Sequence, residues 1–225
     1  MTNPTDISAP CQIICEGAGD EAFFTKLLTS KQITGFQARC ARRDKGCIGK
    51  SGITDTVAAI LGAAELRPGT VKGILIAVDS DDDPMVAFAE AKKFIKSAKP
   101  MQPVPDRLLE IKEGNVSVAV MTIPWADQPG NLDTLLFSSM GETHNDMMQP
   151  LARYSEGTSH RTEGWSLGKV SKMKLRCIIA ASYEPDPSLS LAGIIPSHAC
   201  PIDFNGIRFD QISEYLRRFR DIVSP

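Results

Sequence analysis

Along the chain, stretches with the apolar pattern of β-strands alternate with stretches that have the apolar pattern of α-helices. The most strongly apolar stretch, residues 74–78, is typical of a strand that is covered on both faces of a parallel sheet. Other strands are predicted at 11–15, 33–41 and 115–123. Helical stripes predict helices from Asp20 onward and over 54–65, 84–98, 144–154, 167–181 and 209–222, with a short helix that opens at Leu132. This succession predicts an α/β fold with a mostly parallel sheet flanked by helices.

The division of the chain follows from where the strands stop. All predicted strands fall before residue 140, so residues 11–140 are expected to form the α/β core. Residues 141–225 read as a helical extension that packs on this core. A chain of 225 residues is short enough to form one continuous domain.

Charge and composition exclude some classes of protein. The net charge of −2 argues against a general basic field for nucleic acid, although a local basic patch remains compatible with it. No apolar run approaches the roughly 20 residues of a membrane helix, and the polar first ten residues lack a signal pattern. The six cysteines contain no CxxC pair and no zinc spacing. We therefore expect a cytoplasmic protein with reduced cysteines and no membrane partner.

Acidic residues follow three of the predicted strands. Glu16 ends the first strand, Asp79, Asp81 and Asp83 end the central one, and Asp133 follows the strand at 115–123. Ligands of open α/β sheets bind outside the carboxyl ends of the strands, so these oxygens are expected to converge at one edge. Carboxylates are ligands for Mg²⁺, Mn²⁺ or Ca²⁺. The alternative is a solvated acidic turn whose aspartates cap the next helix.

A converging acidic cluster has a definite chemical use. It could hold one or two divalent cations, which activate water and stabilise the leaving oxygen when a phosphodiester is cleaved. Lys172 or Lys174 on the later helix could neutralise charge on the scissile phosphate. The alternative for either lysine is a solvated helix face.

The loop after the second strand is basic and contains glycine. Gly49, Lys50 and Ser51 invite comparison with a Walker A loop, but Asp44 stands where that motif requires its first glycine. We therefore reject a nucleotide-binding loop. The segment, which also carries Arg39 and its arginine neighbours, is either a patch for backbone phosphates or a solvated surface loop.

The order of these motifs resembles the Toprim domain. The resemblance rests on Glu16-Gly17 after a strand, on Asp79-Ser80-Asp81 after a second strand, and on Lys174 further along. Toprim is the metal-binding fold of topoisomerases, DnaG-type primases, nucleases that mature small ribosomal RNA, and OLD-type nucleases. Residues 16–24, 130–136 and 172–181 narrow the resemblance to small stand-alone Toprim-like proteins related to the OLD-type nucleases. It covers residues from about 11 to about 220 and implies a Rossmann-like sheet.

The resemblance also implies roles for individual residues. Glu16 matches a glutamate that is a metal ligand or general acid/base, and Asp79 and Asp81 match a pair that binds Mg²⁺. Lys174 is the choice for the catalytic basic residue, with Lys172 as the close alternative. Asp20 and Asp83 resemble accessory acidic positions, and Asp133 stands where the pattern more often has glutamate.

The implied activity is that of a Mg²⁺- or Mn²⁺-dependent nuclease on DNA or RNA, in phage defence or DNA repair. A second hypothesis is a non-catalytic or conditionally active metal-binding partner of an ATPase, because OLD-type Toprim domains often work with an ATPase domain and this chain has no Walker A loop. A weaker third hypothesis is a phosphohydrolase on small phosphorylated substrates.

Overall fold

Four parallel strands form the central sheet of the protein. The computed structural model describes residues 6–43, 46–47, 49–186 and 188–224. The strands, in chain order, are β1 (Cys11–Cys15), β2 (Phe36–Cys40), β3 (Arg42–Arg43), β4 (Gly46–Cys47), β5 (Gly73–Asp79) and β6 (Ser117–Ile123). The main sheet has the order β2-β1-β5-β6 and is parallel throughout, whereas β3 and β4 form a separate antiparallel pair. The predicted α/β class with a parallel, Rossmann-like sheet is therefore confirmed.

Helices cover both faces of this sheet. They are α1 (Ala18–Ser30), α2 (Ile53–Leu66), α3 (Pro84–Ala98), α4 (Leu132–Thr143), α5 (Asn145–Gly157), α6 (Ser159–Thr162), α7 (Leu167–Ser182), α8 (Leu191–Ile194) and α9 (Asp210–Val223). The short helices α6 and α8 lie outside the helical segments predicted from the sequence. Within the described ranges, no helix combines the length and the apolar character needed to cross a membrane.

Alternate side chains of each strand enter two separate apolar layers. Ile13 and Leu75 face a layer built with α1, α4, α7 and α9, whereas Ile14 and Ile76 face a layer built with α2 and α3. At the start of β5, a Cβ on Gly73 would lie 2.8 Å from the ring of Phe219, so only glycine lets α9 approach this closely. Helices that follow residue 141, among them α7 and α9, thus share one apolar layer with the sheet.

The cysteines differ in oxidation state. Cys11, Cys15, Cys177 and Cys200 carry reduced thiols, in agreement with the expectation from spacing. Cys40, at the end of β2, is disulfide-bonded, so the expectation of reduced cysteines is wrong for this residue.

Candidate active site

The carboxyl ends of β1 and β5 bring Glu16 and Asp79 together. The two strands are paired in register up to Cys15 and Ala77, so the chain of β5 continues two residues beyond the pair while β1 turns away. Glu16 Oε1 accepts a hydrogen bond of 3.0 Å from the backbone N–H of Asp79. The carboxylate of Glu16 is therefore held in place by the backbone of Asp79.

The amino end of α4 orients Asp79. Asp79 Oδ1 accepts a hydrogen bond of 3.1 Å from the N–H of Leu132, the first residue of α4. Asn131 caps this helix, because its side chain accepts from the N–H of Thr134 at 3.1 Å. The positive end of a helix dipole stabilises a nearby negative charge, so α4 offsets part of the charge on Asp79.

A backbone bridge ties the loop after β5 to the loop before α4. The carbonyl of Asp81 accepts a hydrogen bond of 2.6 Å from the N–H of Gly130. Asp81 has a φ of +49° and Gly130 a φ of +127°. A Cβ on Gly130 would lie 2.7 Å from Thr134 Oγ1, so this position requires glycine for both its conformation and its space. The second and third acidic segments are thereby held side by side.

Asp20 and Asp83 each accept hydrogen bonds from backbone N–H groups at the start of a helix. Asp20 Oδ2 accepts a hydrogen bond of 2.9 Å from the N–H of Gly17 and closes the first turn of α1. Asp83 Oδ1 accepts from the N–H groups of Met85 and Val86 at 2.8 and 3.3 Å and so caps α3. Asp83 therefore fits the capping alternative. Asp20 also interacts electrostatically with Asp79, which places it beside the acidic cluster.

Asp133 lies at the side of this cluster and faces α7. It is 8% exposed, and among the described residues its Oδ1 has no hydrogen-bond partner. Burial raises the pKa of Asp133, and the charges of Lys172 and Arg176 lower it. Lys174 lies elsewhere, with its Nζ 5.7 Å from the ring centroid of Phe137. The cations that act on Asp133 are thus Lys172 and Arg176, and Arg176 was missed by the sequence analysis.

Three of the carboxyl groups are hard to ionise where they stand. Burial is the largest cause, and it raises the pKa of Asp79 to about 8, of Glu16 to about 7 and of Asp20 to about 6. Mutual repulsion adds to the rise: Asp20 and Glu16 act on Asp79, and Asp20 and Asp81 act on Glu16. A cation at this edge would favour the ionised forms of all three groups.

Lys50 supplies the positive charge that the sequence analysis did not assign to this edge. Its Nζ lies 2.6 Å from Asp81 Oδ2 and 3.8 Å from Glu16 Oε1. Lys50 stands in a 3₁₀ turn, Gly49–Gly52, directly before α2. The lysine of the expected phosphate loop therefore points into the acidic cluster. Arg39, which was expected to belong to this loop, instead lies in β2, is 8% exposed and donates to the carbonyl of Asp6 at 2.8 Å.

The donor set and Lys50 together indicate what the site can bind. Glu16 and Asp79 each use one carboxylate oxygen for a backbone N–H, which leaves the second oxygen for a cation. Hard oxygen donors suit Mg²⁺ or Mn²⁺. The ammonium of Lys50 lies between Glu16 and Asp81, where a metal ion would otherwise bind. With the side chains placed this way, no three His, Cys, Asp or Glu of the described residues form a group that could hold a metal ion.

Comparison with known proteins assigns the chain to a family. No curated protein and no solved structure matches it. The model of one family, described as "Protein of unknown function (DUF3226)", matches residues 10–221. The match begins just before β1 and ends in α9, so it contains Glu16, Asp79, Asp81 and the Lys50 turn. Because it spans nearly the whole chain, the protein belongs to the DUF3226 family.

Proposed function

We propose that this protein is a metal-dependent nuclease of Toprim type that hydrolyses phosphodiesters of DNA or RNA, in phage defence or DNA repair. The observation that carries the proposal is the grouping of Glu16, Asp79 and Asp81 at the carboxyl ends of adjacent parallel strands. Burial and repulsion within this group raise the pKa of Glu16 to about 7 and that of Asp79 to about 8. Strongly shifted carboxyl groups in a cluster are typical of sites that bind a cation or transfer a proton.

The proposed cofactor is Mg²⁺ or Mn²⁺, held by Glu16, Asp79 and Asp81. When bound, such an ion supplies Lewis-acid stabilisation of negative charge on phosphoryl oxygens. Asp20 and Asp133 stand close enough to influence the charge of the cluster, because Asp133 raises the pKa of Asp20. Asp83 is at most an accessory residue for the metal ion, because its carboxylate is already used to cap α3.

Glu16 is the proposed general acid/base. A group whose pKa lies near the working pH is the most effective proton carrier, and the pKa of Glu16 is about 7. Its first oxygen stays bound to the N–H of Asp79. The second oxygen either binds the metal ion or takes a proton from water, so Glu16 acts as general acid/base where Asp79 and Asp81 alone hold the ion. Glu16 would thus act from a fixed position at the end of β1.

Lys174 is the proposed basic residue that neutralises the scissile phosphate, and Lys172 and Arg176 are its competitors. Lys174 approaches Phe137, whereas Lys172 and Arg176 act on the charge of Asp133. Separate Lys174→Gln, Lys172→Gln and Arg176→Gln variants distinguish them, and a loss confined to the third would assign the role to Arg176. A large loss of activity in the first, with little loss in the second, supports Lys174. The reverse result assigns the role to Lys172.

The test of the proposed function is cleavage by the purified protein. Supercoiled, linear and single-stranded DNA and structured RNA are incubated with Mg²⁺ or Mn²⁺, and products are resolved on gels. We expect cleavage by the wild type and at least a hundredfold loss in Glu16→Gln and Asp79→Asn. Asp82→Asn is the matched control, because Asp82 is exposed and stands in the same loop. If every nucleic acid stays intact with both metals, the proposal fails as it stands.

A conditionally active partner subunit of an ATPase is the second candidate. It is favoured by the position of Lys50, which neutralises the cluster, and by the described carboxylates not being arranged around a metal. Cleavage only after addition of a partner ATPase would support it. Hydrolysis of small phosphate esters without cleavage of polymers would instead support a phosphohydrolase. A cytoplasmic location belongs to the proposal, and cell fractionation tests it.

A further inference from the structure

We propose that Lys50 is a tethered cation that occupies the acidic cluster in the metal-free protein and leaves it when a divalent ion binds. This inference rests on the proposed function, because it concerns the same carboxylates. Its basis is geometric: a single ammonium group joins Asp81, at 2.6 Å, to Glu16, at 3.8 Å, and these residues follow two different strands.

The contact is built so that Lys50 can be exchanged. The side chain of Lys50 is 31% exposed and that of Asp81 is 61% exposed, so neither is locked in place by packing. The lysine is carried by a short turn, and the Cβ position at Gly49 has no heavy atom within 4 Å. Glu16 is the fixed partner, because its side chain is 16% exposed and is anchored to the N–H of Asp79.

Occupancy by Lys50 also accounts for the arrangement of the carboxylates. Asp81 Oδ2 is turned toward the ammonium, and the described side chains do not surround a common point where a metal could bind. An ammonium group and a divalent ion need the same two carboxylates, so binding of one excludes the other. Once released, Lys50 remains tethered at the rim, where it can donate to a phosphoryl oxygen of a nucleic acid.

Lys112 provides a matched control. Its Nζ lies 2.9 Å from Asp106 Oδ2 and 3.8 Å from Glu110 Oε1, nearly the geometry of Lys50, and its side chain is 39% exposed. It stands away from the acidic cluster. Replacing Lys112 therefore removes an equivalent pair of ionic contacts without changing the charge at the proposed site.

The experiment measures Mg²⁺ and Mn²⁺ binding by calorimetry in the wild type, Lys50→Met and Lys112→Met. If Lys50 competes with the ion, Lys50→Met binds roughly two- to fivefold more tightly, which corresponds to an exposed ion pair of about 0.4–1 kcal/mol. Lys112→Met binds like the wild type. Equal or weaker binding by Lys50→Met overturns the exchange. Absence of binding in every protein overturns the proposed function and the exchange with it.

A second measurement needs no variant. The wild-type protein is treated briefly with an amine-acetylating reagent, with and without saturating Mg²⁺, and the acetylated lysines are quantified by mass spectrometry. Release of Lys50 predicts a severalfold faster acetylation of Lys50 with Mg²⁺ and an unchanged rate for Lys112. Unchanged or slower acetylation of Lys50, in protein that binds Mg²⁺, overturns the proposal even if Lys50→Met does not fold.

Discussion

The buried charge of Asp79 predicts a variant that is more stable than the wild type. Asp79→Asn keeps an oxygen that can accept the N–H of Leu132, now 3.1 Å from Asp79 Oδ1, and removes the negative charge at constant volume. In the wild type, burial followed by repulsion from Asp20 and Glu16 raises the pKa of Asp79 from 3.8 to about 8. The uncharged amide avoids both penalties.

The sign and size of the effect follow from proton linkage. A carboxyl group with a raised pKa in the folded state contributes stability that is fully present below pH 4 and is lost as the pH rises to 8. Roughly four pH units at about 1.4 kcal/mol each set a ceiling of about 6 kcal/mol. Because Asp79, Glu16 and Asp20 titrate as a coupled group, only part of this ceiling belongs to Asp79, and we expect a gain of about 1–3 kcal/mol for Asp79→Asn at pH 9.

Guanidinium unfolding in EDTA at several pH values between 4 and 9 measures this gain. The difference between Asp79→Asn and the wild type should be largest at pH 9 and should shrink toward zero near pH 4. Asp82→Asn removes the same charge from an exposed neighbour and serves as the control variant. A variant that is less stable than the wild type at pH 9, or a gain that is equal at both ends of the range, would refute the reasoning.

Three further predictions concern the metal, the loop bridge and the core. Saturating Mg²⁺ should raise the melting temperature of the wild type, because an ion that binds the native state increases its free energy of unfolding by about 2.7 kcal/mol at 100 times Kd. EDTA should reverse this shift, and Asp79→Asn should not show it. Gly130→Ala should cost about 1–3 kcal/mol in urea unfolding, because its Cβ would meet Thr134 at a positive φ, whereas Gly62→Ala, with open space inside α2, should gain about 0.5–1 kcal/mol. Phe219→Ala should cost about 3–5 kcal/mol because its ring is fully buried, while Ile222→Ala on the same helix, at 42% exposure, should cost far less; equal losses would contradict the packing described for α9.

Local signals in the sequence were enough to predict the elements that lie next to the site. The continuous apolar run before Asp79 identified β5, since a strand buried on both faces has no polar alternation. Asp83 as a cap and Pro84 in the first turn identified the start of α3, whose observed bounds match the prediction. The strand at 33–41 was predicted too long, because Gly35, with a φ of +86°, belongs to the turn before β2.

Contacts between distant segments were not predictable in the same way. Lys50 and Asp81 are 31 residues apart, and their approach depends on where the turn before α2 meets the end of β5. On α7, one residue changes the direction of a side chain by about 100°, so the choice among Lys172, Lys174 and Arg176 required the packing of that helix on α4. That packing depends on Gly168, where a Cβ would lie 2.5 Å from Asn131 Nδ2.

The place of α9 in the core has a consequence for synthesis of the protein. Phe219 and Val223 lie against Gly73 at the start of the central strand, so this end of β5 stays uncovered on one face until residues 210–223 are available. A growing chain on the ribosome can therefore complete the acidic strand ends long before it can complete the apolar layer beneath them. We expect the nascent chain to expose this face during most of translation, and to become resistant to protease only after α9 has left the ribosome.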